Sequence, residues 1–189
     1  MALEIERRFL VLAEGWRSHV RWQARLQQGY LVQGADGLTV RVRASESLSG
    51  EGSQAWLTLK AAPPRSGPGA GAGAEQPLRP GQALSRLEFE YAIPPADAQA
   101  LLALAPHQLG KIRYGLDLPG GDWVLDVFEA GNAPLVVAEV ELEDPDQPVT
   151  VPPWCGLELT GRHALSNAAL AARPLVLWSE AERQALLAR

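Results

Sequence analysis

One cysteine and three histidines are all that this chain of 189 residues has of the two side chains most used to hold soft metal ions. Cys155 has no second cysteine to pair with, so no disulfide forms within the chain, and with no evident histidine partner it is not a candidate nucleophile. His19, His107 and His163 stand singly and far apart, which excludes a close-spaced His/Cys metal site. Long apolar runs are also missing. None approaches the about 18 residues needed to cross a bilayer, and charges are scattered through the N-terminal segment, so neither a membrane helix nor a signal peptide is expected. The expectation is a cytoplasmic protein with no membrane partner. Positive charge is in deficit, with 17 Lys and Arg against 22 Asp and Glu, and the net charge of −5 argues against a nucleic-acid partner.

What the chain does have is alternation. Apolar and polar residues change places with a period of two near residues 3–12, 24–33, 38–44, 54–60, 85–93, 108–117, 122–129 and 135–143, the pattern of eight strands. Few helices accompany them. Pro94-Pro95 followed by ADAQALLALA predicts one, with Leu101, Leu102 and Leu104 as its buried stripe. SNAALAA predicts a second, and Ser179 with Glu182 has capping-box spacing before a third. The fold class expected is α+β, mainly β: an eight-stranded antiparallel barrel with helices packed outside, in a single domain over 1–189. Residues 61–83 break the pattern with PPRSGPGAGAGAEQPLRPGQ, which has little to bury and predicts a mobile loop. Gly67, Gly69, Gly71 and Gly73 within it are flanked by prolines rather than by a strand and a helix, so they form no phosphate-binding loop.

The polar faces of the strands are charged. Glu4, Glu6 and Arg8 form one row, and Arg41 with Arg43, Lys60, Arg86 with Glu88 and Glu90, Lys111 with Arg113, Asp126, and Glu139 with Glu141 form others. A flat sheet could show such faces to water. Helices with apolar stripes, however, need an apolar sheet face to cover, and if the sheet curls with that face outward the charges line a lumen. So many buried ions are costly unless compensated. Guanidinium forks suit phosphate oxygens, and glutamates two apart suit a hard divalent cation. Together they point to a metal–polyphosphate ligand.

Taken in order, these residues resemble the CYTH, or triphosphate tunnel metalloenzyme, family. Glu4-x-Glu6-x-Arg8 is similar to its ExExK signature. QGYL at 28–31, RVR at 41–43, LTLK at 57–60, SRLEFEY at 85–91, KIRY at 111–114, LDVF at 125–128, AEVEL at 138–142 and the TG and SNAALA pieces near 160–171 follow. The resemblance implies an eight-stranded tunnel that binds a triphosphate or polyphosphate with Mg²⁺ or Mn²⁺. It implies that Glu4, Glu6, Glu139 and Glu141, with Asp126 beside them, hold the metal. Arg8, Arg41, Arg43, Lys60, Lys111 and Arg113, with Arg86 in the same lumen, would cradle the phosphates. Arg8, Tyr30, Glu88 and Glu90 are the expected catalytic residues, the two glutamates orienting water, metal or cations. The expected activity is metal-dependent hydrolysis of inorganic triphosphate, by a monomer or homodimer. Thiamine triphosphatase, adenylate cyclase and a polyphosphate-binding module with weak or lost catalysis are the alternatives. Two departures from the family pattern stand out. Arg8 occupies a position usually held by lysine and cannot shed a proton. The segment that in relatives reads roughly DxRY is here Arg162-His163-Ala164-Leu165, with Arg162 a candidate to replace the missing charge from a shifted position.

Overall fold

The structure, a computed structural model, describes residues 3–34, 37–50, 52–62 and 82–187. Apart from its ends, the expected loop at 61–83 lies outside the described residues. Among the described residues nine strands run β1 (Leu3–Val11), β2 (Val20–Gln33), β3 (Thr39–Ser47), β4 (Ser53–Ala61), β5 (Leu84–Ala92), β6 (His107–Leu116), β7 (Asp122–Phe128), β8 (Val136–Glu141) and β9 (Cys155–Glu158). The first eight form an antiparallel sheet in the order β5-β4-β3-β2-β6-β7-β8-β1, and pairing of β5 with β1 closes it into a barrel. The expected eight-stranded barrel is therefore present. β9 is an addition to it, pairing with β1 on both sides of a register shift between Phe9 and Val11. β2 is longer than its alternating core, beginning at Val20 rather than at residue 24.

Register decides which side chains share the lumen. Glu4 lies opposite Arg86, Arg8 opposite Glu139, Tyr30 opposite Arg41 and Arg113 opposite Asp126. Because side chains alternate across a strand, these pairs carry every charged row to one face. The opposite, outer face is apolar. Phe9, Trp16, Leu125, Trp123, Val140 and Trp154 cover it on one side, with Phe9 stacked on Trp123 at 6.1 Å and Trp16 tilted on Tyr114 at 4.9 Å.

Helix α1 (Pro95–Leu104) covers the outer face of β3 and β4, where Ala98 and Leu102 pack against Val42 and Ala55. The expected stripe is corrected at its end. Leu104 is 73% exposed, because it lies two residues from Leu102 and so points to the other side of the helix. Gly29 permits the close approach, since a Cβ there would stand 2.7 Å from the Ala105 Cβ.

The C-terminal segments do more than cover the sheet. Helices α2 (Asn167–Ala172) and α3 (Glu180–Leu187) are capped by Ser166, whose Oγ accepts from the Ala169 amide at 3.2 Å, and by the capping box of Ser179 and Glu182. Leu159, Leu165, Leu170, Leu175 and Leu186 pack onto Leu10, Tyr30, Leu109, Phe128 and Val137, which lie on the lumen face of β1, β2, β6, β7 and β8. One end of the barrel is thus filled by an apolar stopper. Each large side chain buried there contributes about 1.5–3 kcal/mol. Asn132 ties the stopper down, donating to the Leu170 carbonyl and accepting from the Leu175 amide. Among the described residues no helix is long and apolar enough to cross a membrane.

Candidate active site

Above the stopper the barrel encloses a cavity of about 520 Å³. Its walls carry Glu4, Glu6 and Arg8 from β1, Arg41 and Arg43 from β3, Lys60 from β4, Arg86, Glu88 and Glu90 from β5, Arg113 from β6, and Glu139 and Glu141 from β8. Leu3, Tyr30, Thr39, Ser166, Asn167 and Ala168 complete the lining. Lys111 and Asp126 are the two expected site residues that do not reach it. Both are fully buried one layer behind Arg113.

The ions form two groups. In the first, Lys60 binds Glu4 at 2.6 Å and Glu88 at 3.1 Å, while Arg41 reaches Glu88, Glu90 and the Thr58 hydroxyl, and Arg43 donates to Glu90 at 2.9 Å. The second is deeper. Arg8 Nε donates to Glu139 at 2.9 Å, Arg113 bridges Glu139 and Asp126 at 2.7 Å each, and Lys111 donates to Asp126 at 2.5 Å and to Asn167 Oδ1 at 3.2 Å. Lys111 also lies over the Phe128 ring. Arg8 Nη1 donates to the Leu165 carbonyl at 3.0 Å, so the signature arginine is joined to the stopper.

Three guanidinium donors are left over. Arg8 Nη2, Arg41 Nε and Arg43 Nε are buried without a partner among the described residues. Each such orphan costs roughly 1–3 kcal/mol until an acceptor arrives. On the acidic side the imbalance is of the opposite kind. Burial and the neighbouring Glu139 push the Glu6 carboxyl up to about 7, and burial together with Glu4 and Asp122 raises Glu141. Glu139 goes the other way, because Arg8, Arg113 and Lys111 outweigh its burial and hold it well below the usual carboxylate range. Glu4, though buried, is lowered by Lys60. Burial pushes Tyr30 up to about 12, so its phenol stays protonated at neutral pH. Burial and Arg41 bring Arg43 down to about 10, and burial brings Lys111 down to about 8 against the pull of Asp126.

These residues fit a divalent cation in donor chemistry. Among the described residues no three His, Cys, Asp or Glu side chains are already gathered as a metal cluster, since Glu4 and Glu139 are held by cations. Glu6 and Glu141, however, face each other across the β1–β8 ladder as like charges, and a hard cation with oxygen ligands relieves that repulsion.

Sequence reasoning missed Thr58, which accepts from Arg41 and donates to Glu90, and Asn167, which lay inside a recognised motif without a role. Arg162 is exposed and does not line the cavity, so it does not replace the absent DxRY arginine there.

No protein-family profile matches the chain. It is 31% identical over 176 residues to an inorganic triphosphatase of Acetivibrio thermocellus, an alignment spanning 92% of this chain and 96% of that protein. The crystal structure of the inorganic triphosphatase NE1496 superposes with a TM-score of 0.58 at 30% identity, covering 90% of this chain and 95% of the other. A putative adenylyl cyclase from Hippeastrum shares the fold, with a TM-score of 0.51 at 15% identity over 76% of this chain and 81% of its own. The closed barrel with its inward charges and the relative that aligns along almost its whole length agree: the chain belongs to the CYTH, or triphosphate tunnel metalloenzyme, family.

Proposed function

We propose that the protein hydrolyses triphosphate, with inorganic triphosphate as substrate and Mg²⁺ or Mn²⁺ as cofactor. The observation that carries this reading is the set of buried, unpartnered donors on Arg8, Arg41 and Arg43, residues that line the same cavity as Glu6 and Glu141, neither of which is paired with a cation among the described residues. A polyanion satisfies the first set and a divalent cation the second. The likeness to inorganic triphosphatases supports the choice of substrate.

In this reading Arg8, Arg41, Arg43, Arg113, Lys60 and Arg86 bind phosphate oxygens, by forks where the geometry allows two contacts. Glu6 and Glu141 would hold the cation, with Glu4 and Glu139 beside them on the lining, while Asp126, which does not reach the cavity, holds Arg113 in place. When bound, the metal supplies charge neutralisation and lowers the pKa of a coordinated water. Glu88 and Glu90 keep Lys60, Arg41 and Arg43 extended into the lumen. Tyr30, protonated, is a hydrogen-bond donor rather than a base. Arg8 clamps and neutralises charge but moves no proton.

Among the described residues the lining has one aromatic side chain, Tyr30, and no second ring to sandwich a thiamine or adenine, which favours the inorganic substrate over the two organic ones. Phosphate release from tripolyphosphate, thiamine triphosphate and ATP, each with Mg²⁺ and with Mn²⁺, tests the proposal. Metal-dependent release from tripolyphosphate ahead of the others is expected. Tight binding of tripolyphosphate with no release above the uncatalysed rate would replace it with a polyphosphate-binding module.

A further inference from the structure

The apolar stopper and the donors beside it give the cavity a direction. Exposure falls from Glu90, at 29% of its side chain, through Lys60 and Glu4 to Arg8 at 6% and Lys111 and Asp126 at zero. The buried end is therefore the stopper end. Asn167 stands there, on the lining, with its amide oriented by chemistry: Lys111 has only donors, so it takes Oδ1, and the donor Nδ2 is left with no acceptor among the described residues. Lys111 is itself fully buried between Asp126 and the Phe128 ring. Arg8 is anchored by Nη1 to the Leu165 carbonyl of the stopper, which places its orphan Nη2 at the same end.

From this geometry we infer that the cavity is a blind pit that takes a phosphate chain end first, and that Asn167 is the specificity-determining residue that recognises the terminal phosphate. The inference rests on the proposed triphosphate reading. Nδ2 of Asn167 and Nη2 of Arg8 donate to oxygens of the terminal group, and the leucines of the stopper prevent a longer chain from threading past. Lys111 acts through Asn167 as a positioning residue. Internal phosphates of a long chain cannot reach the base.

The test uses the full chain, with tripolyphosphate, long-chain polyphosphate and cyclic trimetaphosphate, and two variants. Asn167→Ala removes both ends of the amide. Asn167→Asp keeps an oxygen for Lys111 but removes the donor and adds a charge. Both are expected to raise the KM for tripolyphosphate by about tenfold or more, as loss of a hydrogen bond to a charged group does, with the melting temperature of the free protein little changed. Wild-type protein is expected to shorten long chains only from their ends and to leave trimetaphosphate, which has no end, intact. Recovery of wild-type KM in Asn167→Asp would show that the residue serves only to hold Lys111 and would overturn the contact. A KM within twofold of wild type in both variants would do the same. Mid-length fragments early in a long-chain digest would overturn the blind end. If wild-type protein turns over none of these compounds, the triphosphatase reading fails, and the calorimetric Kd of tripolyphosphate for the same variants decides the inference by the same tenfold criterion.

Discussion

Glu6 and Glu141 stand opposite one another in the β1–β8 ladder, both lining the cavity and neither paired with a cation among the described residues. Burial, with the neighbouring Glu139, makes the folded state favour the protonated form of Glu6, whose pKa lies near 7 instead of 4.5. The sign follows from proton binding. Between about pH 4.5 and 7 the folded protein holds more protons than the unfolded chain at this site, so its contribution to stability falls as pH rises and levels off above 7. Glu6→Gln is accordingly expected to raise the melting temperature of the metal-free protein at pH 8, by up to a few kcal/mol of stability, and to change it little at pH 4.5. An equal effect at both pH values would mean that the carboxyl is not strained. Metal affinity follows the opposite slope, since the ligand must be ionised. Titration with Mg²⁺ or Mn²⁺ should show binding that strengthens from pH 6 to 8 in wild type and is lost in the Glu6→Gln, Glu141→Gln double variant.

Arg8 makes two contacts at once, Glu139 through Nε and the stopper through Nη1, and keeps a third, buried donor, Nη2, without a partner among the described residues. Lysine keeps the charge but reaches only one of these. Arg8→Lys is expected to raise the KM for tripolyphosphate about tenfold and to lower stability by about 1–3 kcal/mol. Turnover at saturation should stay within about tenfold, a window of roughly 1.4 kcal/mol in barrier height. The high pKa of Tyr30 bears on the rival outcome. A large gain in turnover in Arg8→Lys, with a new group titrating between about pH 7 and 9 and abolished by Tyr30→Phe, would show that a lysine–tyrosine proton pair had been lost from this chain.

Much of this site was legible in the sequence because a strand's period of two settles the side of the sheet on which a residue lies. Glu4, Glu6, Arg8, Arg41, Arg43 and Lys60 needed nothing more to be placed in one lumen. Depth is a different matter. Lys111 and Arg113 alternate identically, yet Arg113 faces the cavity and Lys111 sits behind it, because the stopper closes over that end of β6. No local pattern announces the stopper, since Leu165, Leu170, Leu175 and Leu186 belong to short turns and helices that acquire a common face only when packed on Leu10 and Val137. β9 escaped for a related reason: four residues beginning at a cysteine and a glycine are too short to show alternation.

The depth of Lys111 leads to a prediction about stability rather than binding. Its ammonium and the Asp126 carboxylate are both fully shielded from water, 2.5 Å apart, with Arg113 closing the group. Removing one member leaves an uncompensated buried charge, which costs about 3–5 kcal/mol. Asp126→Ala is expected to fall in that range by urea denaturation, with loss of expression at higher temperature. Lys111→Met should cost less. The neutral thioether fills the same volume against Phe128, and Asp126 keeps both of its bonds from Arg113. Equal losses in the two variants would mean that the pair, rather than the stranded charge, carries the energy.

The packing of α1 on the barrel gives the last prediction. Gly29 lies in β2 beneath the helix, and a Cβ at this position would meet Ala105 Cβ at 2.7 Å, Leu102 Cδ2 at 3.0 Å and Val42 Cγ1 at 3.3 Å. The nearest of these, the Ala105 Cβ, is fixed to the backbone and cannot rotate away, so Gly29→Ala forces α1 and β2 apart. Overpacking of this kind costs about 1–3 kcal/mol. Its functional consequence depends on which way the strain travels. Gln28 and Tyr30, the neighbours of Gly29, both point to the lumen, and Tyr30 lies opposite Arg41 in the ladder. If α1 moves as a body, β2 keeps its place and the KM for tripolyphosphate stays near wild type while stability falls. If β2 bends inward, Tyr30 and Arg41 shift together and KM rises with the loss of stability. The helix has its only buried contacts at Ala98, Leu102 and its neighbours, whereas β2 is held by full ladders to β3 and β6, so the helix is expected to yield. A KM raised more than about threefold in Gly29→Ala, measured below its melting temperature, would show instead that the strand gives way.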